Sequence, residues 1–145
     1  MDEQRLWELV DALSRARPFR RGAVEALLST PLAETSRTPH FVRYEARRPG
    51  ENAHGVAIQR IELRIDERDE RVPGFVSIEL AGPGPSRAAL TARYPGGTFD
   101  APRPGPRGLS PDAREVYWVS RDGGRIAFGL GRDTGLVAGV AFHGA

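Results

Sequence analysis

The side chains able to do chemistry are few, and their spacing argues against most reactions. Three histidines, His40, His54 and His143, stand far apart. None has a second histidine or an acid at metal-ligand spacing. His40 precedes a strand-like run, His54 sits in a turn, and His143 lies near the end of the chain. Each reads as a surface or hydrogen-bonded imidazole. Cysteine is absent, which excludes a thiolate nucleophile, a disulfide framework and a thiolate zinc site. No Gly-x-Ser-x-Gly elbow occurs. The densest acidic cluster is Asp66, Glu67, Asp69 and Glu70. Arg68 and Arg71 interrupt it, and it lacks the central glycine of a calcium loop, so it reads as a solvated hairpin tip. Gly129-Leu130-Gly131-Arg132-Asp133-Thr134-Gly135 has the look of a dinucleotide loop, but too little chain follows for the helix, strand and acid such a site requires. Ala81-Gly82-Pro83-Gly84-Pro85-Ser86 leads from a strand into a helix, the geometry that can cradle phosphate. There Pro83 and Pro85 remove two backbone donors and no lysine follows. The expectation is no metal, no cofactor and no enzyme. Tyr44, Tyr117 and Asp100 are the residues a small enzyme of this kind could use, with nothing in the sequence to bring them together.

Composition sets the remaining limits. A chain of 145 residues is one domain and can bury a core without disulfides or metal. All 21 basic residues are arginine, yet the net charge is only +2. Residues 1–72 hold 13 Arg and 13 Asp or Glu, interleaved. Interleaved signs are a solvated surface rather than a phosphate-binding stripe, which argues against nucleic acid. The opening Met1-Asp2-Glu3-Gln4-Arg5 is charged and unlike a signal peptide. No apolar run approaches the ~18 residues of a membrane span. A cytoplasmic protein with no membrane partner is expected.

The elements follow from periodicity. Leu6, Leu9, Val10 and Leu13 recur at helical spacing after Asp2, a capping residue, and Pro18 ends the run. Trp7 lies at the edge of that stripe as a core anchor. A second helix runs from about Gly22 to Ser29, with Val24, Leu27 and Leu28 inward, and Thr30-Pro31 stops it. After a polar connection, Glu34 to Pro39, Phe41–Arg47 alternates as a strand, and Arg48 to Asn52 turns the chain. Val56–Asp66 and Phe75–Leu80 form a hairpin, with Ile61, Leu63 and Ile65 on one face and Arg60, Glu62 and Arg64 on the other. Ser86 caps a short helix through Tyr94. Gly96 to Arg114 is an irregular segment rich in proline and glycine. Val116–Arg121, Arg125–Leu130 and Leu136–Phe142 close the chain as strands, with Asp122-Gly123-Gly124 as a hairpin turn. Leu136, Ala138, Val140 and Phe142 share a face. Gly129, Gly139 and Ala141 leave the opposite side bare, as a packed helix or a bend in the sheet requires. The fold expected is α+β: a curved antiparallel sheet of about six strands with two or three helices on one face. Within one domain, 1–145, residues 1–17 are the N-terminal helix. Residues 18–82 and 83–145 each carry a helix and three strands, a repeat of pattern without repeat of sequence.

What remains for function is the polar face of the sheet. Arg43, Arg47, Arg60, Glu62, Arg64 and Glu79 fall on it. Tyr117 and Trp118 point to opposite faces, so one joins the core and the other is exposed beside Arg121. Arginine and aromatic residues on a rigid surface are the types that dominate protein interfaces. The order of elements, and the segment Ala23-Val24-Glu25-Ala26-Leu27-Leu28-Ser29-Thr30-Pro31-Leu32, resemble the α+β unit of beta-lactamase inhibitor proteins and their small outer-membrane-assembly lipoprotein relatives. Ser29-Thr30 stand where that family has a glycine, and the lipid-bearing cysteine of the lipoproteins is missing. The resemblance implies a sheet that binds and blocks another protein, as bacterial immunity proteins and enzyme inhibitors do. A small-ligand pocket between sheet and helices is the alternative.

Overall fold

Asp2 begins the fold as expected: its carboxylate accepts a hydrogen bond from the Gln4 amide at 3.0 Å and caps helix α1, Glu3–Arg15. The computed structural model describes residues 2–51, 54–111 and 113–144. Leu6, Leu9, Val10 and Leu13 are fully buried along α1, and Trp7 joins them. Helix α2, Arg21–Leu28, ends where Ser29 takes a left-handed conformation (φ 50°) and the Thr30 amide reaches back to the Glu25 carbonyl. Helix α3, Arg87–Arg93, is capped by Ser86, whose hydroxyl accepts from the Ala89 amide at 3.1 Å.

Eight strands form one antiparallel sheet: β1 (Ala33–Arg37), β2 (Val42–Glu51), β3 (Ala57–Ile65), β4 (Phe75–Leu80), β5 (Thr98–Asp100), β6 (Glu115–Arg121), β7 (Gly124–Leu130) and β8 (Val137–His143). Their spatial order, β1-β2-β3-β4-β8-β7-β6-β5, sets two meanders back to back about the β4–β8 pair. Each half is a helix followed by a four-strand meander, and the halves join where β4 pairs with β8. The sheet thus has two strands more than periodicity predicts, and both are at its edges. All five residues of β1 are exposed, so no apolar alternation marks it within the polar connection. β5 is three residues long and lies inside the segment expected to be irregular.

Two further corrections concern phase. β2 continues through the expected turn to Glu51, because a bulge between Arg47 and Gly50 absorbs Arg48 (φ 54°) and Pro49, and Gly50 (φ 80°) pairs again with Ile58. A bulge is where a strand tolerates proline. In β8 a second irregularity pairs Leu130 with Val137 and Gly129 with Gly139. Val137 is therefore buried with Val140 and Phe142, and Leu136 and Ala138 are not fully inside.

All three helices pack on one face. Trp7 meets Tyr94 and Phe128 edge-on, with ring centres at 5.6 and 6.3 Å, and Phe19 meets Phe142 at 6.2 Å. The inner face supplies Tyr44, Ile61, Leu63, Ile78, Phe128 and Phe142 to the same core. The Tyr94 hydroxyl donates to Asp11 at 2.8 Å, and burial, then this bond, holds its pKa well above the usual phenol value. Arg17 fastens α1 to the β6–β7 hairpin by donating to the Arg121 and Arg125 carbonyls at 2.9 and 3.0 Å. The hairpin turn itself has Asp122 at φ 53° and Gly123 at φ 78°, the paired positive angles that match strand twist. Among the described residues no helix covers the small residues of β7 and β8, contrary to one expectation: their bare side belongs to the open face.

Candidate binding face

The pairing register orders the open face into three rows that cross the strands. The first row runs Ser36, Arg43, Arg64, Phe75, His143, Arg125, Ser120; the Phe75 and His143 rings stand 5.1 Å apart where β4 meets β8. The second runs Glu45, Glu62, Ser77, Ala141, Ala127, Trp118, Thr98. The third runs Arg47, Arg60, Glu79, Gly139, Gly129, Val116, Asp100. At about 4.8 Å per strand, the first row spans roughly 29 Å.

One half of this grid is charged. Within each row, β2 and β3 set like charges opposite one another, which alone is unfavourable. The alternation of rows repairs this along the diagonals. Glu62 accepts a hydrogen bond from Arg64 Nε at 3.0 Å and stands in ion contact with Arg64 (2.9 Å) and Arg43, and Glu45 pairs with Arg60 and lies 3.7 Å from Arg43. The Arg60 bond is the largest influence holding the Glu45 carboxyl below its ordinary pKa, and it raises Arg60 in turn. The carboxylates lie beneath: the Glu45 and Glu62 side chains are 9% and 8% exposed, against 37%, 35% and 50% for Arg43, Arg60 and Arg64. The surface offered to solvent is therefore guanidinium.

The other half is aromatic and small. Trp118 stacks obliquely on His143 at 5.1 Å, and the Arg125 guanidinium lies over its ring at 4.0 Å. Ala127, Gly129, Gly139 and Ala141 make a low floor beside it. Arg114 crosses that floor to Glu79 at 2.9 Å; a Cβ on Gly139 would stand 3.1 Å from both partners. A shallow trough of about 310 Å³ lies here. A larger groove of about 620 Å³ opens at the end of the first row, lined by Phe41, Arg43, Arg64, Pro73, Phe75 and His143. His143 borders both.

Most residues expected on this face are there: Arg43, Arg47, Arg60, Glu62, Arg64, Glu79 and Trp118. Tyr117 is the buried member of its pair; its hydroxyl donates to the Tyr94 carbonyl at 2.5 Å and accepts from the Gly97 amide at 2.9 Å. Arg121 is not beside Trp118. It shares the inner parity of Tyr117 and lies over the Tyr94 ring at 5.0 Å, and Arg125 takes the place expected of it. Phe75, His143, Arg114 and Arg125 are the residues sequence reasoning missed. Parity alone sets Phe75 with Ser77 and Arg125 opposite Ile126, but only the β4–β8–β7 adjacency brings them together. Tyr44, Tyr117 and Asp100 do not converge: Tyr44 bonds Glu67 from the core side, and Asp100 ends the third row. Among the described residues no group of three His, Asp or Glu side chains is placed to hold a metal ion, and no helix is long and apolar enough to cross a membrane. No family model, curated protein or solved structure matches the chain.

His143 gives this face a pH dependence. Burial, then Arg125 and Arg17, hold its pKa below the ordinary imidazole value. Just below that value the unfolded chain binds more protons than the folded one, so stability rises with pH and is lost as pH falls beneath ~6.5. His143→Gln is expected to flatten the slope of unfolding free energy between about pH 5 and 6.5, measured by urea titration. An unchanged slope would mean that another group carries the effect.

Proposed function

We propose that this chain is a stoichiometric protein-binding module that engages its partner through the open face of the sheet, as an inhibitor or immunity protein neutralising a toxin or enzyme. One observation carries the reading: a sheet face free of helix among the described residues, on which arginines sit outermost over largely covered carboxylates, beside a partly buried tryptophan. Such a surface is already ordered before binding, which lowers the entropic cost of association. Its residue types are those that supply interface hot spots. The inhibitor role rests on the resemblance in element order to the beta-lactamase inhibitor proteins. A ligand cavity between sheet and helices has less support, since Leu6, Leu9, Leu13, Phe128 and Phe142 fill that layer and are fully buried.

Affinity capture tests this. The tagged chain, an open-face variant (Arg64→Glu with Trp118→Ala) and a variant on the exposed side of α1 (Arg15→Glu) are compared in lysate of the source cells. The wild type and Arg15→Glu are expected to retain the same protein in equimolar amount, and the open-face variant to release it. Retention by the open-face variant, or capture of no protein by the wild type, would sink the reading.

A further inference from the structure

The partner's chemistry can be narrowed from the distribution of charge around the larger groove. We propose that the Phe41–Phe75 end of the open face receives an acidic segment of the partner protein, with one apolar side chain in the groove and flanking carboxylates on Arg64 and Arg125. This rests on the reading of the open face as the binding surface.

Among the described residues, the groove of about 620 Å³ is lined by two arginines and a histidine and by no carboxylate. Its walls are apolar: Phe41, Val72, Pro73 and Phe75. Phe41 is 46% exposed, an unusual state for a phenylalanine at the mouth of a groove. The cations around it are only partly neutralised. Arg43 and Arg64 share the single carboxylate of Glu62, while Glu45 is engaged chiefly by Arg60. Three guanidiniums therefore face two carboxylates. Arg125 has no ion pair among the described residues and is held over Trp118 instead. The excess is positive and points outward, because the acids are the covered partners. A segment that brings carboxylates to Arg64 and Arg125 complements this excess, and an apolar side chain between them meets the Phe41 and Phe75 rings.

Single-stranded nucleic acid is the other polyanion that such a surface could attract, and the ring geometry is against it. Base stacking requires free aromatic faces. The Phe75 ring is met by His143 at 69° and by the Arg64 guanidinium at 5.2 Å, and the Arg125 guanidinium covers a face of Trp118, so Phe41 is left as a single open ring and gives no succession of platforms for stacked bases.

Fluorescence anisotropy at physiological salt provides the test, with three labelled probes. The first is a short peptide of Asp and Glu around a central Phe. The second is the same peptide with Lys for each acid, and the third is a single-stranded oligonucleotide of equal charge to the first. The acidic peptide is expected to bind, and the lysine peptide to show no binding. Arg125→Glu and Phe75→Ala are each expected to weaken the acidic peptide by ~10-fold or more. Arg125→Glu is the primary variant because it breaks no internal ion pair, whereas Arg64→Glu would place a carboxylate against Glu62. No binding of the acidic peptide, equal binding of both peptides, tighter binding of the oligonucleotide, or indifference to both variants would each overturn the inference. If the acidic peptide fails while the open-face variant still releases a captured protein, the acidic-segment inference falls and the open-face reading stands. If capture fails as well, both fall.

Discussion

Trp7→Ala is expected to lower the unfolding free energy by about 3–5 kcal/mol, the range for removing a large aromatic side chain from a packed core. Trp7 is 5% exposed and meets two rings edge-on, Tyr94 at the end of α3 and Phe128 on β7. It thereby joins the N-terminal helix to both helix and sheet of the second half. Its loss leaves a cavity bordered by stiff aromatic groups that cannot collapse into it, so the cost belongs at the upper end of the range. The neighbouring Tyr94 hydroxyl, bonded to Asp11, would also lose the packing that keeps water from that bond. Urea unfolding followed by far-ultraviolet circular dichroism measures this. A loss below ~1 kcal/mol would show that α1 is not docked as described.

The second tryptophan is expected to behave in the opposite way. Trp118→Ala should cost folding less than ~1 kcal/mol, because the ring lies on the open face with His143 and Arg125 as its main neighbours. Its effect should fall on association: a loss of ~2 kcal/mol or more in affinity for the captured partner, about 30-fold, as for a central aromatic anchor. Titration calorimetry with that partner gives the number. In a Trp7→Phe background Trp118 is the sole tryptophan, and its emission should shift to the blue as partner covers it. Unchanged affinity and unchanged emission would move the binding surface elsewhere.

Much of the architecture is legible in the amino-acid sequence because it is local. Asp2 and Ser86 announce their helices as caps, and Ile61, Leu63 and Ile65 announce the inner face of β3 by alternation. Asp122-Gly123-Gly124 encodes a hairpin turn through the backbone angles that it permits. The edge strands escape notice because an exposed edge has no apolar side to display: β1 is exposed throughout and β5 is too short to alternate. Bulges defeat a strict period of two, so Val137 takes the core position that counting assigns to Leu136 and Ala138. The charged half of the face was readable, since β2, β3 and β4 follow one another in chain order. Its aromatic half was not. The meeting of Phe75, His143 and Arg125 depends on β8 entering between β4 and β7, a long-range pairing that no local pattern encodes.

The back-to-back order of the two meanders has a consequence for how the protein is made. During synthesis β1 to β4 emerge first and can pair among themselves, but β4 then presents an unpaired edge. In the finished sheet β5, β6 and β7 lie beyond β8 and leave that edge to it. Only β8, the latest of the eight strands in chain order, takes the place between β4 and β7. Until then the nascent chain carries an open, apolar-backed strand at what will become the middle of its sheet, a template for pairing with another chain. Closure of the β4–β8 seam completes the sheet and, in the same event, brings His143 beside Phe75. The surface assigned to partner binding therefore comes into existence only when the aggregation-prone edge disappears, so an incomplete chain would display the hazard without the function.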